Sequence, residues 1–312
     1  MTASELPPVV ALMGPTASGK SRLAIEIAGA LNGEIVSVDS SLVYRGMDIG
    51  TAKPTSADRA TVPHHLIDIL DPSETFSTGQ FRDRALALIA DIAARGRLPV
   101  LAGGTMLYFN ALLRGLAELP PAHPEIRREL EERAVREGWQ ALHAELSRID
   151  PPAAARIHPN DPQRLQRALE VFYLTGQPLS ELWEGSRNPE LPFRPLRLVL
   201  APSSRAVLAE RIAERFRRML DDGFLGEVEA LYRRGDLNET LPSIRAVGYR
   251  QAWAYLEGEC DFDTFVERAI IATRQFAKRQ YTWLRKETEA TWLESEAGGL
   301  IASGLAVVKA AL

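Results

Sequence analysis

The chain is poor in cysteine, in long apolar runs and in net charge, and each shortage excludes something. Cys260 is the sole cysteine among 312 residues. That rules out an internal disulfide and any zinc site built on cysteines, and it suits a reducing compartment. No segment reaches the ~18 consecutive apolar residues of a membrane span. The stretch Met1-Thr2-Ala3-Ser4-Glu5-Leu6-Pro7-Pro8 has neither the basic start nor the apolar core of a secretory signal. A cytoplasmic protein with no membrane partner is the expectation. Net charge is −4, so no overall field attracts nucleic acid, and any such site must be a local patch. His64, His65, His123, His143 and His158 show no metal-ligand spacing.

What is present is ordinary in bulk: 46% hydrophobic and 25% charged residues, in a chain long enough for two domains and a large core. One stretch stands out. Gly14-Pro15-Thr16-Ala17-Ser18-Gly19-Lys20-Ser21 fits G-x-x-x-x-G-K-[ST], a loop whose backbone N–H groups close on phosphate oxygens. Its context is right. The apolar run from Pro8 to Met13 reads as a buried strand, and Leu23, Ile27 and Leu31 mark one helical face after it. The helix N-terminus adds partial positive charge. Lys20 adds a full one, and the Ser21 hydroxyl suits Mg²⁺. The loop specifies a polyphosphate, but neither which one nor what is done with it.

Further strands are predicted at 34–38, 66–70, 98–102, 196–200 and 291–293, alternating early on with helices such as Thr78 to Arg95. The alternation argues an α/β fold, a mostly parallel sheet flanked by helices. Between Leu119 and Pro195 strand signals vanish. Helices are predicted there at 124–137, 139–149 and 161–175, the last opened by Asp161-Pro162. This pattern predicts an inserted all-helical domain at 119–195, within a core formed by 1–118 and 196–312. Helices follow at 204–220, 226–234, 249–257 and 262–286. The tail 300–312 is only weakly amphipathic.

Candidate chemistry clusters at predicted strand ends. Asp39 closes the second strand, and in open α/β sheets ligands sit outside the carboxyl ends of the strands. It suits a general base or a partner of Mg²⁺; a turn cap is the structural alternative. Thr16 and Thr105 lie in two glycine turns and could donate to phosphate oxygens or simply bond locally. Three basic clusters oppose the acidic average: Gln163 to Arg167; Arg211, Arg215, Arg217 and Arg218; and Arg274 to Lys286. The third has no acid and interleaves Phe276, Tyr281 and Trp283. Basic charge with stacking aromatics suits RNA, although a solvated helix face over core aromatics has the same composition. Ser243 to Arg250 is an arginine-flanked turn whose glycine permits close approach of a ligand.

Six segments together resemble bacterial-type tRNA dimethylallyltransferases (tRNA isopentenyltransferases): GPTASGKS at 14–21, SVDSSLVYRGMDIGTAKP at 37–54, GGTMLY at 103–108, IHPNDPQRLQRALEV at 157–171, SIRAVGYRQ at 243–251 and ATRQFAKRQYTWLR at 272–285. The resemblance runs from about residue 9 to 293. It implies a P-loop NTPase-like fold and transfer of a dimethylallyl group from dimethylallyl diphosphate to N6 of the adenosine 3′-adjacent to the anticodon in tRNA. It makes the phosphate loop a diphosphate site, although the motif alone suggests ATP, with Mg²⁺ as cofactor at Ser21. It implies Asp39, Thr105 and Arg215 as catalytic residues, with Asp39 as base and Arg215 and Thr16 on the diphosphate. It also implies tRNA contacts at Asp39, Ser40, Ser41, Leu42, Thr105 and Arg127. Further contacts follow at Gln163, Arg164, Leu165, Gln166 and Arg167, and at Arg245, Ala246, Val247, Gly248, Tyr249 and Arg250. The last set is Lys278, Arg279, Gln280, Tyr281, Thr282, Trp283, Leu284 and Arg285. The inserted domain would grip the anticodon stem-loop, and a monomer is expected.

Two other readings fit parts of the chain. A P-loop small-molecule or nucleotide kinase explains the loop and the α/β pattern, but leaves the acid-free basic helix at 274–286 and the 243–250 turn without a purpose. A non-catalytic RNA-binding adaptor switched by nucleotide leaves Asp39 unexplained.

Overall fold

Six strands join in the order β3-β2-β4-β1-β5-β6, every neighbouring pair parallel. The computed structural model describes residues 6–117, 119–184 and 190–312. The first five residues of the stretch read for a signal, and the predicted domain edge at 118, lie outside them. The described residues divide into two compact units, one made of residues up to Leu113 together with Leu191–Leu312, the other Arg114–Glu190.

The first unit opens with β1 (Pro8–Met13), α1 (Lys20–Ala30), β2 (Gly33–Val38), α2 (Ser56–Thr61), β3 (His64–His65), α3 (Thr78–Ala94), β4 (Leu98–Gly103) and α4 (Met106–Arg114). The second contains α5 (Pro124–Glu137), α6 (Trp139–Ile149), α7 (Pro151–Ala154), α8 (Pro162–Thr175) and α9 (Leu179–Glu184). The chain then returns to the first with β5 (Arg194–Ala201), α10 (Arg205–Asp221), α11 (Phe224–Tyr232), α12 (Tyr249–Leu256), α13 (Phe262–Leu284), β6 (Thr291–Glu294) and α14 (Leu300–Ala311). The predicted edge at 195 falls inside β5, because Arg194 and Pro195 already pair with Pro8 and Val9.

Alternation along the strands explains the two faces. Val9, Ala11, Met13, Val36, Val38, Leu101 and Val199 point to one side and pack with α3 and α4. Val10, Leu12, Ile35, Val100, Leu198 and Leu200 point to the other, against α1 and α14. Burial on both faces is why these strands read as continuous apolar runs. The tail that looks weakly amphipathic forms α14, which buries Val308 and Gly304. A Cβ on Gly304 would stand 3.0 Å from Leu23 Cδ1, so the glycine lets α14 lie close on α1.

A third cluster joins α10 to α13 with the loop around Val43, Tyr44 and Met47. The second unit has its own core, formed by Leu130, Leu142, Leu146, Leu165 and Leu169. Buried Asp150 accepts hydrogen bonds from the Ala153 and Ser180 N–H groups, both at 2.9 Å, and so ties α7 to α9.

One predicted strand is misplaced. The pattern 66–70 predicts a strand, but β3 is His64–His65. Leu66 and Asp68 adopt φ of 61° and 57°, which a strand cannot hold. Lys53 Nζ and Arg59 grip the Asp68 carboxylate at 2.5 and 2.8 Å, and Leu70 keeps only an isolated bridge to Tyr44. Ion pairing with residues 15 and 9 positions earlier thus overrides an apolar run.

Candidate active site

Strand order brings the candidate loops together. β4 lies between β2 and β1, so the turns after Met13, Val38 and Gly103 leave three adjacent strand ends on one edge of the sheet. The β2–β4 approach is tight. A Cβ on Gly103 would sit 2.0 Å from Val38 O, and the Thr105 N–H donates to the same oxygen at 3.1 Å.

The phosphate loop runs from the end of β1 to Gly19, the N-cap of α1. Gly19 has φ 87° and Ala17 φ 62°. Gly14 admits no side chain, since a Cβ would meet Leu200 O at 2.4 Å. Within the loop, Lys20 Nζ donates to Pro15 O at 3.2 Å and the Ser18 N–H to the same oxygen at 3.3 Å. Burial lowers the Lys20 ammonium to about pKa 8; nearby Asp39 opposes that shift and Arg215 adds to it. Burial also lowers Arg215, against the pull of Asp39. Asp39, Lys20 and Arg215 therefore form one electrostatic group, drawn from the turn after β2, from α1 and from α10.

Arg215 is the member of its basic cluster that reaches the loop, donating to Thr16 Oγ1 at 3.3 Å. The other arginines diverge. Arg211 binds Ser295 Oγ and Glu296, Arg218 binds Glu214, and Arg217 is exposed. Arg211 and Arg218 share the face of Arg215 but lie a turn away on either side, where Ser295 and Glu214 engage them, while Arg217 points away. Asp39 Oδ1 accepts the Ser41 N–H at 2.9 Å, so it caps its own turn while its carboxylate stays half-buried at the pocket. Thr105 Oγ1 accepts the Ser40 N–H at 3.0 Å, so the local bond and the pocket position coexist.

Thr16, Asp39, Ser40, Thr105 and Arg215 line one cavity of about 380 Å³. Part of its wall is apolar, with Ile212, Phe216 and Met219 on α10, and Phe224 and Tyr249 beyond them. Arg245, Ala246, Val247 and Gly248 of the arginine-flanked turn also border it, as does Arg279. Lys278 instead lines a separate groove of about 210 Å³ between α10 and α13.

Several residues implied as RNA contacts also make contacts within the protein. Leu165, Tyr249, Gln280 and Leu284 are buried, Tyr249 at the pocket wall. In the second unit Arg127 and Arg167 fold onto buried Glu170, Arg127 Nε at 2.8 Å and Arg167 at 2.7 Å. Gln166 bonds Arg127 O and Glu131. Gln163 and Arg164 are the outward members of that set. Arg250, Lys278, Thr282, Trp283 and Arg285 are likewise exposed, Ser41 and Tyr281 partly so, and Leu42 is half-buried.

The model of a family described as IPP transferase matches residues 42–287. A protein of Methylococcus capsulatus named tRNA dimethylallyltransferase is 85% identical over 300 residues, covering 96% of each chain. The chain belongs to this family. A full-length tRNA isopentenylpyrophosphate transferase from Bacillus halodurans has 40% identity and a TM-score of 0.69, with 98% of this chain and 99% of that one covered. A eukaryotic dimethylallyltransferase acting on tRNA has 28% identity and a TM-score of 0.80, covering 93% and 74%. The six-stranded parallel sheet flanked by helices is thus the architecture of tRNA isopentenyltransferases, with their P-loop-like fold.

Two roles at the site escape sequence reasoning: the bridging role of Gln280, which the resemblance implies only as an RNA contact, and the whole of Glu227. Gln280 bridges two loops from inside α13, and Glu227 on α11 accepts the N–H groups of Asp48, Ile49 and Gly50. Neither carries a local signal, since a lone glutamate or glutamine on a helix has no distinguishing spacing. Among the described residues no group of three or more His, Cys, Asp or Glu could hold a metal, and no helix is long and apolar enough to cross a membrane.

Proposed function

We propose that the chain transfers the dimethylallyl group of dimethylallyl diphosphate to N6 of the adenosine 3′-adjacent to the anticodon of tRNA, releasing diphosphate. One observation carries this reading: Asp39, Thr16 and Arg215 meet in one pocket that also has an apolar wall. A base, an anion clamp and room for a short hydrocarbon lie side by side. The names of the relatives, tRNA dimethylallyltransferase among them, support it.

The chemistry follows from what each group can do. Breaking the allylic C–O bond leaves its electron pair, and growing negative charge, on the diphosphate. Lys20, Arg215 and the Thr16 hydroxyl stabilise that charge in a partly desolvated pocket. The adenine amino group is a weak nucleophile because its lone pair is delocalised into the ring. As the new C–N bond forms, Asp39 takes the N6 proton. Thr105 holds the Ser40 N–H and so fixes the turn that carries Asp39.

The donor chemistry of the loop fits Mg²⁺. Ser21, in the first turn of α1, offers a hard oxygen, and the buried Ser18 hydroxyl has no hydrogen-bond partner. Ser21 would hold the ion together with diphosphate oxygens. When bound, the ion supplies neutralisation of charge on the leaving group.

The target base must leave the anticodon-loop stack, at a cost of a few kcal/mol. Exposed Arg245, Arg250, Lys278 and Arg285 would meet backbone phosphates, with Trp283 available for stacking. In the second unit, the inserted helical domain, Gln163 and Arg164 offer a further contact to the anticodon stem-loop. The enzyme would act as a cytoplasmic monomer.

The test supplies labelled dimethylallyl diphosphate, unmodified tRNA and Mg²⁺, beside a parallel assay of ATP consumption. Label on N6 of the adenosine 3′ to the anticodon is the expected result. Phosphoryl transfer from ATP without prenyl transfer would overturn the reading in favour of a kinase.

A further inference from the structure

Glu227 is distant in sequence from every motif of the site, yet both its carboxylate oxygens are committed to the pocket wall. Oε2 accepts the N–H groups of Asp48 and Ile49, each at 2.7 Å. Oε1 accepts the Gly50 N–H at 3.1 Å and the Tyr249 hydroxyl at 2.5 Å. Three successive amides and one phenol thus converge on a single side chain. It joins the segment after Asp39 to the arginine-flanked turn.

The parts it joins form the apolar wall. A Cβ on Gly50 would lie 2.3 Å from Phe224 and 2.7 Å from Tyr249, so the Gly50 backbone rests directly on both rings. Phe224 packs edge-on against Tyr249 at 5.2 Å and against Phe216 at 5.8 Å. Phe216 and Met219 follow Arg215 on α10, one and four residues beyond it. A hydrocarbon attached to a diphosphate held by Arg215 and Thr16 therefore runs towards this aromatic group. Lys53, bonded to Tyr44 O, Asp48 and Asp68, pins the same segment on its other side.

We infer that Glu227 is a positioning residue that holds the Gly50–Phe224–Tyr249 wall in place and thereby limits the length of allylic chain the pocket accepts. The inference rests on the prenyl-transfer reading above. Glu227 does not itself line the pocket and acts through Tyr249 and the Gly50 backbone, which do. Its charge matters because a carboxylate accepts at both oxygens, whereas the amide of glutamine accepts at only one. Glu227→Gln strands either the Asp48 and Ile49 amides or the Gly50 amide with the Tyr249 hydroxyl. Donors left without partners, those of Ile49, Gly50 and Tyr249 part-buried, reorganise rather than stay in place.

The experiment compares kcat/KM for dimethylallyl diphosphate and for geranyl diphosphate, with tRNA as acceptor, in wild type, Glu227→Gln and Tyr249→Phe. The wild type should strongly prefer the five-carbon donor. Glu227→Gln should reduce that preference by about tenfold or more, with the inorganic diphosphate Kd unchanged within about threefold. Tyr249→Phe removes one of the four bonds and should give a smaller shift in the same direction. It also keeps the test available if Glu227→Gln folds poorly. An unchanged donor preference in a folded variant, or an equal loss on both donors, would overturn the inference and leave the prenyl-transfer reading standing. A wild type that transfers no five-carbon group would overturn both.

Discussion

Gln280 and Thr16 lie 264 residues apart in sequence, yet the Thr16 N–H donates to Gln280 Oε1 at 2.9 Å. The other end of the same amide, Nε2, donates to Gly104 O at 2.8 Å. One buried side chain from α13 thus sets the separation of the two glycine turns. A Cβ on Gly104 would meet Gln280 Nε2 at 2.4 Å, so the second turn needs glycine for the clamp to close. Gln280→Ala should weaken diphosphate binding and cost roughly 2–4 kcal/mol of stability, because it strands an amide and a carbonyl. Isothermal titration with inorganic diphosphate and chemical denaturation check the two effects together.

Asp39 is positioned as a base and caps its own turn through Ser41. Asp39→Asn keeps the size and the acceptor oxygen but loses basicity. Single-turnover prenyl transfer should fall by about 10²–10⁴-fold, while tRNA affinity changes by no more than a few-fold. A near-normal rate would remove Asp39 from the role.

Lys20 has its ammonium lowered to about 8, chiefly by burial. The charge is present below that pH and is lost above it. Diphosphate affinity of the free enzyme should therefore decline as pH rises through about 8. Lys20→Arg, charged throughout, should bind with a flat profile over the same range. Diphosphate Kd measured from about pH 7 to pH 9.5 separates the two.

Glu34 sits at the opposite end of β2 from Asp39 and governs stability. Hydrogen bonds from Arg95 hold its carboxyl down to about 2, burial opposes that shift, and His65 and Arg97 reinforce it. A depressed carboxylate stabilises the fold above its ordinary pKa of 4.5 and loses that contribution as pH falls towards 2. Glu34→Gln should cost about 1–3 kcal/mol near neutrality, because the carboxylate is buried but Arg95 and Arg97 are 42% and 30% accessible and remain solvated when it is gone. The gap between wild type and variant should close as the pH is lowered from 4.5 towards 2. Urea denaturation along that series is the measurement.

Lys278 and Arg285 are exposed on α13, beside Trp283 with 37% of its surface accessible. Replacing both with glutamine should weaken tRNA binding and lower the slope of log K against log salt by roughly one for each phosphate left without its cation. Filter binding at several salt concentrations tests this. An unchanged slope would take α13 off the RNA surface.

Some of this molecule is written locally in its sequence. The phosphate loop is legible because one short spacing dictates its glycine conformations, its lysine and its helix start at once. The helices at Pro124–Glu137 and Trp139–Ile149 are legible because apolar periodicity, Pro124 in the first turn and Gly138 between the two act within a few turns. Asp39 is legible because a strand end in a parallel sheet has a defined place. Tertiary structure alone decided the rest. It set which of the 211–218 arginines turns to Thr16, folded Arg127 and Arg167 onto Glu170, and made Gln280 a clamp between two loops. It also broke the 66–70 run through ion pairs to Asp68 and gave Glu227 its four partners. The physical reason is common to all of these. Periodicity and capping are set by neighbours along the chain. A side chain's hydrogen-bond partner is set by whichever element packing brings within about 3 Å, and that has no signature in the residues around it.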